Sequence, residues 1–125
     1  MKTDDRPVNL DLTQFSFPLP ALASITHRIT GVIMFVGLAF MLYAFDRSLT
    51  SAEEFAAVRE LLDSPLAKFI TWGLLTALGY HLLAGIKHLL MDMDIGETLE
   101  GARLGSQVTI VLAVILSILA GVWVW

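Results

Sequence analysis

Phe69–Met91 reads FITWGLLTALGYHLLAGIKHLLM, 23 residues whose apolar run is interrupted by His81, Lys87 and His88. Crossing the hydrocarbon core of a bilayer takes about 20 residues of helix. Backbone polar groups in lipid must be paired within the segment, which makes helix the expected form. The stretch therefore predicts a transmembrane helix over about 66–92, with a histidine near its middle. Two further runs flank it. Ile29–Phe45 has only Thr30 and Tyr43 as polar members, and Val108–Trp125 carries no charge. They predict a first span over about 21–46, started by Pro20, and a third over about 105–125.

The rest of the chain fits three spans and little else. Of its 125 residues 56% are hydrophobic and 16% charged, and the mean hydropathy is +0.73. Soluble domains carry about 25% charged residues. The net charge of -4 argues against nucleic acid as a partner. There is no cysteine, which removes thiolate iron–sulfur ligation, covalent haem attachment and cysteine nucleophiles together. The first span starts too far along, is too long and lacks the small-residue cleavage site of a signal peptide. The expected fold is an all-α membrane protein with three transmembrane helices, forming one membrane-anchor domain over 1–125.

Connections and orientation follow. Arg6–Pro20 (RPVNLDLTQFSFPLP) is partly apolar but broken by prolines, so residues 1–20 are expected to lie at the interface. In the connector, about 47–65, Ser51 precedes Glu54 at a capping-box spacing. Phe55, Val58, Leu61 and Leu62 then recur at helical intervals, as in a surface helix. Lys2, Arg6, Arg28, Lys87 and Arg103 fall on one side of the membrane, Arg47, Arg59 and Lys68 on the other. Five against three places the N-terminus in the cytoplasm. Trp72, Trp123, Trp125 and Tyr43 then form an aromatic belt at the outer interface.

Two constellations carry chemistry. An ionisable group in mid-span costs a few kcal/mol and points to function. His81 is flanked by Gly73, Ala77 and Gly85 at intervals of four residues, a face small enough for a flat macrocycle to approach. The same face also suits plain helix packing. Imidazole is a common haem ligand, and without cysteine the consistent centre is a b-type haem. His27 and His88 are expected nearer the cytoplasmic interface than His81, so a second axial ligand is expected from another polypeptide. The second constellation is Ser24, His27 and Arg28, on one face of the first span. There a hydroxyl and a guanidinium can donate to a carbonyl-bearing ligand or to carboxylates. Ala113, Ser117 and Gly121 form a small-residue packing stripe on the third span. These features leave open a haem anchor, a small transporter or proton-translocating subunit using His81, and a purely structural three-helix protein. The transporter reading predicts mid-span acids, and the spans hold none.

Arg6-Pro7-Val8-Asn9-Leu10, followed by Ser24-Ile25-Thr26-His27-Arg28-Ile29-Thr30, resembles the first signature of the cytochrome b556 subunits of succinate dehydrogenase, in respiratory complex II. His81-Leu82-Leu83-Ala84-Gly85-Ile86-Lys87-His88, continuing through Met91-Asp92, resembles the second, and order and spacing agree over essentially the whole chain. The chain departs from the pattern at Lys87, where the family usually has arginine, and at Asp94, where it usually has a small residue. The resemblance implies the large hydrophobic anchor of succinate:quinone oxidoreductase, multi-pass in the bacterial cytoplasmic (inner) membrane. It implies that His81 is an axial ligand and the metal-binding residue of haem b, in a bundle completed by a second hydrophobic anchor that supplies the other histidine. It also implies that His27 and Arg28 meet the haem propionates beside Gly85, that Ser24, Ile25 and Arg28 bind ubiquinone, and that an iron–sulfur subunit and a succinate-oxidising flavoprotein complete the complex.

Overall fold

The computed structural model of the chain describes Val8 and residues 10–125. Most of the Arg6–Leu10 motif, and Lys2, lie outside the described residues. Among those described, the secondary structure is helical throughout. A 3-10 turn at Leu12–Gln14 precedes α1 (Leu19–Ser48), α2 (Ala52–Asp63), α3 (Pro65–Asp92) and α4 (Leu99–Val124). Helices α1, α3 and α4 are each long and apolar enough to cross a membrane. At 1.5 Å per residue they are about 45, 42 and 39 Å long. All three exceed a hydrocarbon core of about 30 Å, so their ends reach the headgroups.

Local chemistry sets the helix ends. α1 has proline within its first turn, where a missing N–H is harmless. Ser51 Oγ accepts the Glu54 N–H at 3.1 Å and starts α2, while the Glu54 carboxylate takes the Arg47 guanidinium at 2.6 Å and ties α2 to α1. Ser64 Oγ accepts from Ala67 N at the start of α3. Helix α4 begins at Leu99, six residues before the expected start near 105. The apolar run conceals a polar first turn, in which Thr98 Oγ1 accepts the Gly101 N–H at 3.1 Å and Glu100 sits where an acid is favoured.

The α3–α4 turn explains a departure from the family pattern. Ile95 N–H reaches back to Leu90 O at 2.9 Å and Asp94 N–H to Met91 O at 3.0 Å, the two bonds of a Schellman C-cap. That motif needs a left-handed residue at position 94. Asp94 adopts it with φ 63°, which aspartate tolerates better than most side chains. Gly96 follows at φ 72°, and the backbone of Gly101 lies directly on it. A Cβ at residue 101 would sit 2.8 Å from Gly96 Cα and O.

Helix α3 is the central element, packed most extensively on α4 and next on α1, while α2 lies against α1 and α3. The buried apolar residues are small, namely Ala23, Ala77, Ala84, Ala102 and Ala113, with Tyr80 the one large member among the described residues. The stripe read on the third span faces α3. Ala113 is buried, Ser117 Oγ bonds Thr76 Oγ1 at 2.8 Å, and Trp72 Nε1 donates to Ser117 O at 2.8 Å across Gly121. Trp72 therefore does more than mark the interface. In lipid no hydrophobic force drives helices together, so close approach and interhelical hydrogen bonds hold the bundle.

Replacing Gly101 with alanine should lower the thermal midpoint of the purified protein in detergent, by a destabilisation of about 1–3 kcal/mol, because the new methyl meets backbone rather than a movable side chain. Gly79→Ala, whose methyl would meet Leu116 at 3.4 Å, should leave the midpoint unchanged or raise it.

Candidate functional site

The three histidines meet at one end of the α1–α3 contact. His81 and His27 stack with ring centroids 4.0 Å apart and planes 15° from parallel. The His88 ring stands 5.2 Å from that of His27, centroid to centroid, with the planes tilted by 54°. The expectation places His27 nearer the interface than His81, and the offset is small enough for the two rings to stack. Helix α1 starts at Leu19, so His27 is eight residues in, while His81 is eleven residues from the end of α3. The helices run antiparallel, and the two depths differ by about 4.5 Å, less than one turn.

Backbone chemistry orients His81. Its Nδ1 lies 3.0 Å from the carbonyl oxygen of His27 and 3.2 Å from Thr30 Oγ1. A carbonyl only accepts, so Nδ1 carries the hydrogen and the lone pair is on Nε2. Thr30 Oγ1 spends its own hydrogen on the carbonyls of Thr26 and His27, at 3.0 and 2.9 Å, and so faces Nδ1 as an acceptor. Gly31 makes the approach possible, since a Cβ there would stand 3.1 Å from His81 Cε1. Across the site, Tyr80 donates to Ala23 O at 2.8 Å and fastens α3 to the start of α1.

The remaining predicted residues are distributed around this cluster. Gly85 lies under His27, with its Cβ position 3.6 Å from His27 Nε2. Gly73 opens on empty space, and Ala77 is buried, so the small-residue face around His81 is partly packed and partly free. Ser24 is half-buried, Arg28 is exposed, and Ile25 is 44% exposed. None of these three is drawn into the histidine cluster by a hydrogen bond among the described residues.

Two contacts are not legible in the sequence. Thr30 reads there as one of two polar residues in an apolar run, and nothing marks it as the acceptor for a residue 51 positions away. Lys87 reads as an interfacial charge, yet it is 8% exposed, with Nζ 3.3 Å from the fully buried Ser106 Oγ and its stem against Gly105. Ser106 in turn donates to Ala102 O at 2.8 Å.

The model of the succinate dehydrogenase/fumarate reductase transmembrane subunit family matches residues 2–120. The chain belongs to that family. Its similarity to succinate dehydrogenase cytochrome b556 subunits is 42% identity over 121 residues for Coxiella burnetii, covering 96% of this chain and 97% of the relative. For Paracoccus denitrificans it is 36% over 115 residues, covering 92% and 88%. The mitochondrial cytochrome b560 subunit of Mus musculus is 31% identical over 122 residues, covering 92% and 69%. Membership in this transmembrane-subunit family does not favour the transporter reading, and no acid lies mid-span among the described residues.

The Lys87–Ser106 contact gives a stability prediction. Ser106→Ala strips a buried ammonium of its hydroxyl partner and should destabilise the purified protein by about 1–3 kcal/mol. Lys87→Met, which removes the charge and keeps the stem, should leave the melting midpoint equal to or above that of the native protein.

Proposed function

We propose that this chain is the large hydrophobic anchor of a succinate:quinone oxidoreductase in a bacterial inner membrane, ligating one side of a shared haem b through His81 and forming part of a ubiquinone site with Ser24, Ile25 and Arg28. The observation that carries the reading is the Nδ1 bond of His81 to the His27 carbonyl. Metal-ligating histidines characteristically donate their other ring N–H to a backbone carbonyl or carboxylate, which fixes the ring and raises the basicity of the ligating nitrogen. The free lone pair on Nε2, in a span with no cysteine, fits a b-type haem.

The same geometry bears on the second ligand. Imidazole lone pairs lie in the ring plane, and two rings stacked 15° from parallel do not aim at one iron. A second histidine from the companion anchor suits this better than His27. His27 and Arg28 are then left to meet the propionates, and Gly85 to give His27 room. The haem, when bound, supplies an electron store beside the quinone pocket.

The chain's own residues account for quinone handling as follows. Ser24 and Arg28, one helical turn apart on α1, present a hydroxyl and a planar fork of N–H donors at the membrane interface. A quinone carbonyl oxygen accepts from both, and charge that develops on it during reduction is stabilised by donors already in place. Ile25, on the exposed apolar side, lines the ring. Succinate oxidation belongs to the flavoprotein and iron–sulfur partners, so this chain is an anchor and quinone-site subunit that binds no succinate. The N-terminus lies on the cytoplasmic side with these residues.

Two measurements test the proposal separately. Reduced-minus-oxidised optical spectra of the purified complex should show a b-type band that is lost or shifted in His81→Ala and kept in His88→Ala. An unchanged spectrum in His81→Ala overturns the haem assignment. Arg28→Leu should lower succinate:ubiquinone turnover by about 10²–10³ while succinate oxidation by an artificial acceptor stays near the native rate. Equal loss of both activities overturns the quinone assignment.

A further inference from the structure

The end of the bundle away from the histidines holds a cleft of about 640 Å³ between α2, the start of α3 and the end of α4, lined by Arg59, Glu60, Asp63, Lys68, Thr71 and Trp123 among others. It belongs to none of the chemistry above. Its position is that of a membrane interface. Trp123 is 78% exposed, and Trp72 meets Trp125 edge-on at 6.3 Å, the amphipathic rings that favour headgroup depth.

The charges in the cleft balance, with Arg59 and Lys68 against Glu60 and Asp63. Lys68 Nζ and Asp63 Oδ1 are paired at 2.9 Å, the lysine side chain being 25% exposed. Asp63 is held below the usual carboxylate range by the hydrogen bond from Lys68, then by the charge of Lys68 and that of Arg59. The pair fixes the lysine and leaves two of its three hydrogens to offer. Arg59 adds a planar fork suited to phosphate oxygens. Glu60 is left as an acceptor with no ion pair among the described residues. Leu62 and Val124 give the cleft an apolar wall continuous with the lipid-facing spans. A doubly anionic ligand would meet two carboxylates here. A zwitterion with a phosphate and a hydrogen-bonding ammonium meets both signs in place.

We propose that this cleft is a headgroup site for a phosphoethanolamine lipid of the leaflet opposite the histidine cluster, with its phosphate on Arg59 and Lys68 and its ammonium on Glu60.

The test is lipid retention by the intact complex, reconstituted in phosphatidylcholine nanodiscs with a minor fraction of phosphatidylethanolamine or phosphatidylglycerol, and read by native mass spectrometry. The native protein should retain phosphatidylethanolamine over both other lipids. Arg59→Gln and Glu60→Gln should each weaken retention about tenfold, the size of one charge-assisted hydrogen bond. Both residues are exposed on α2, so the variants should assemble normally, with the haem spectrum as the control. Glu53→Gln, on the same helix but outside the cleft, should retain lipid as the native protein does. Equal retention by the native protein and both variants overturns the proposal. Preference for phosphatidylglycerol, or displacement of the lipid by millimolar inorganic phosphate, overturns it as well, by making the site one for an anionic lipid or a free anion.

Discussion

A histidine placed in the middle of an apolar helix must find a partner for its ring N–H, and this bundle is arranged around how His81 finds one. The partner is a helical carbonyl, that of His27, reached because residue 31 has no side chain to stand in the way. Thr30 completes the contact, with its hydroxyl hydrogen committed to the α1 backbone and its lone pair turned to Nδ1. The bond fixes three things together: the register of α3 against α1, the tautomer of the imidazole, and the availability of Nε2. An unpaired polar group in hydrocarbon costs several kcal/mol, so the register is strongly specified by a single residue.

The same constraint explains why the rest of the packing is done by small residues. Tyr80 to Ala23 O, Trp72 to Ser117 O and Thr76 to Ser117 Oγ are each bonds between helices at 2.8 Å. They form only if backbones come close, and Ala77, Ala84, Ala113 and Gly121 allow that. Lys87 is the extreme case, a cation accommodated between α3 and α4 by Gly105 and one buried hydroxyl. A lysine there keeps the charge of the family's usual arginine but needs fewer partners, three rotatable donors against a rigid fork of five.

Much of this was legible in the sequence. Apolar runs and proline placement gave the spans, Ser51 marked the start of α2, and His81 stood out as an ionisable group where none is cheap. The family motifs imply roles for Ser24, Ile25, His27 and Arg28, and spacing alone does not supply them. The illegible parts depend on how two helices are offset. The stacking of His27 on His81 follows from α1 starting at Leu19 and from an offset of less than a turn between antiparallel helices, and no periodicity encodes either. The early start of α4 was hidden because Glu100 and Arg103 look like loop residues until Thr98 is seen to accept the Gly101 N–H and cap the helix that holds them. Burial of Lys87 was hidden because a lysine beside a span end ordinarily snorkels.

Seen from outside, the bundle turns its large side chains away from itself. In the most apolar stretch of each of its three long helices 11% of residues are buried, and Val32, Phe35, Phe40, Ile118 and Val122 are all more than half exposed. Lipid accepts such a surface, but it does not need the open backbone at Gly73 or the uncommitted Nε2 two turns along the same face. A chain that only spanned the membrane would fill the first with a side chain and the second with an apolar residue, gaining stability twice. Keeping both leaves open space and a free ring nitrogen on α3, which the proposed haem and companion anchor would use. That placement is why the anchor reading accounts for more of the molecule than a self-sufficient three-helix protein does.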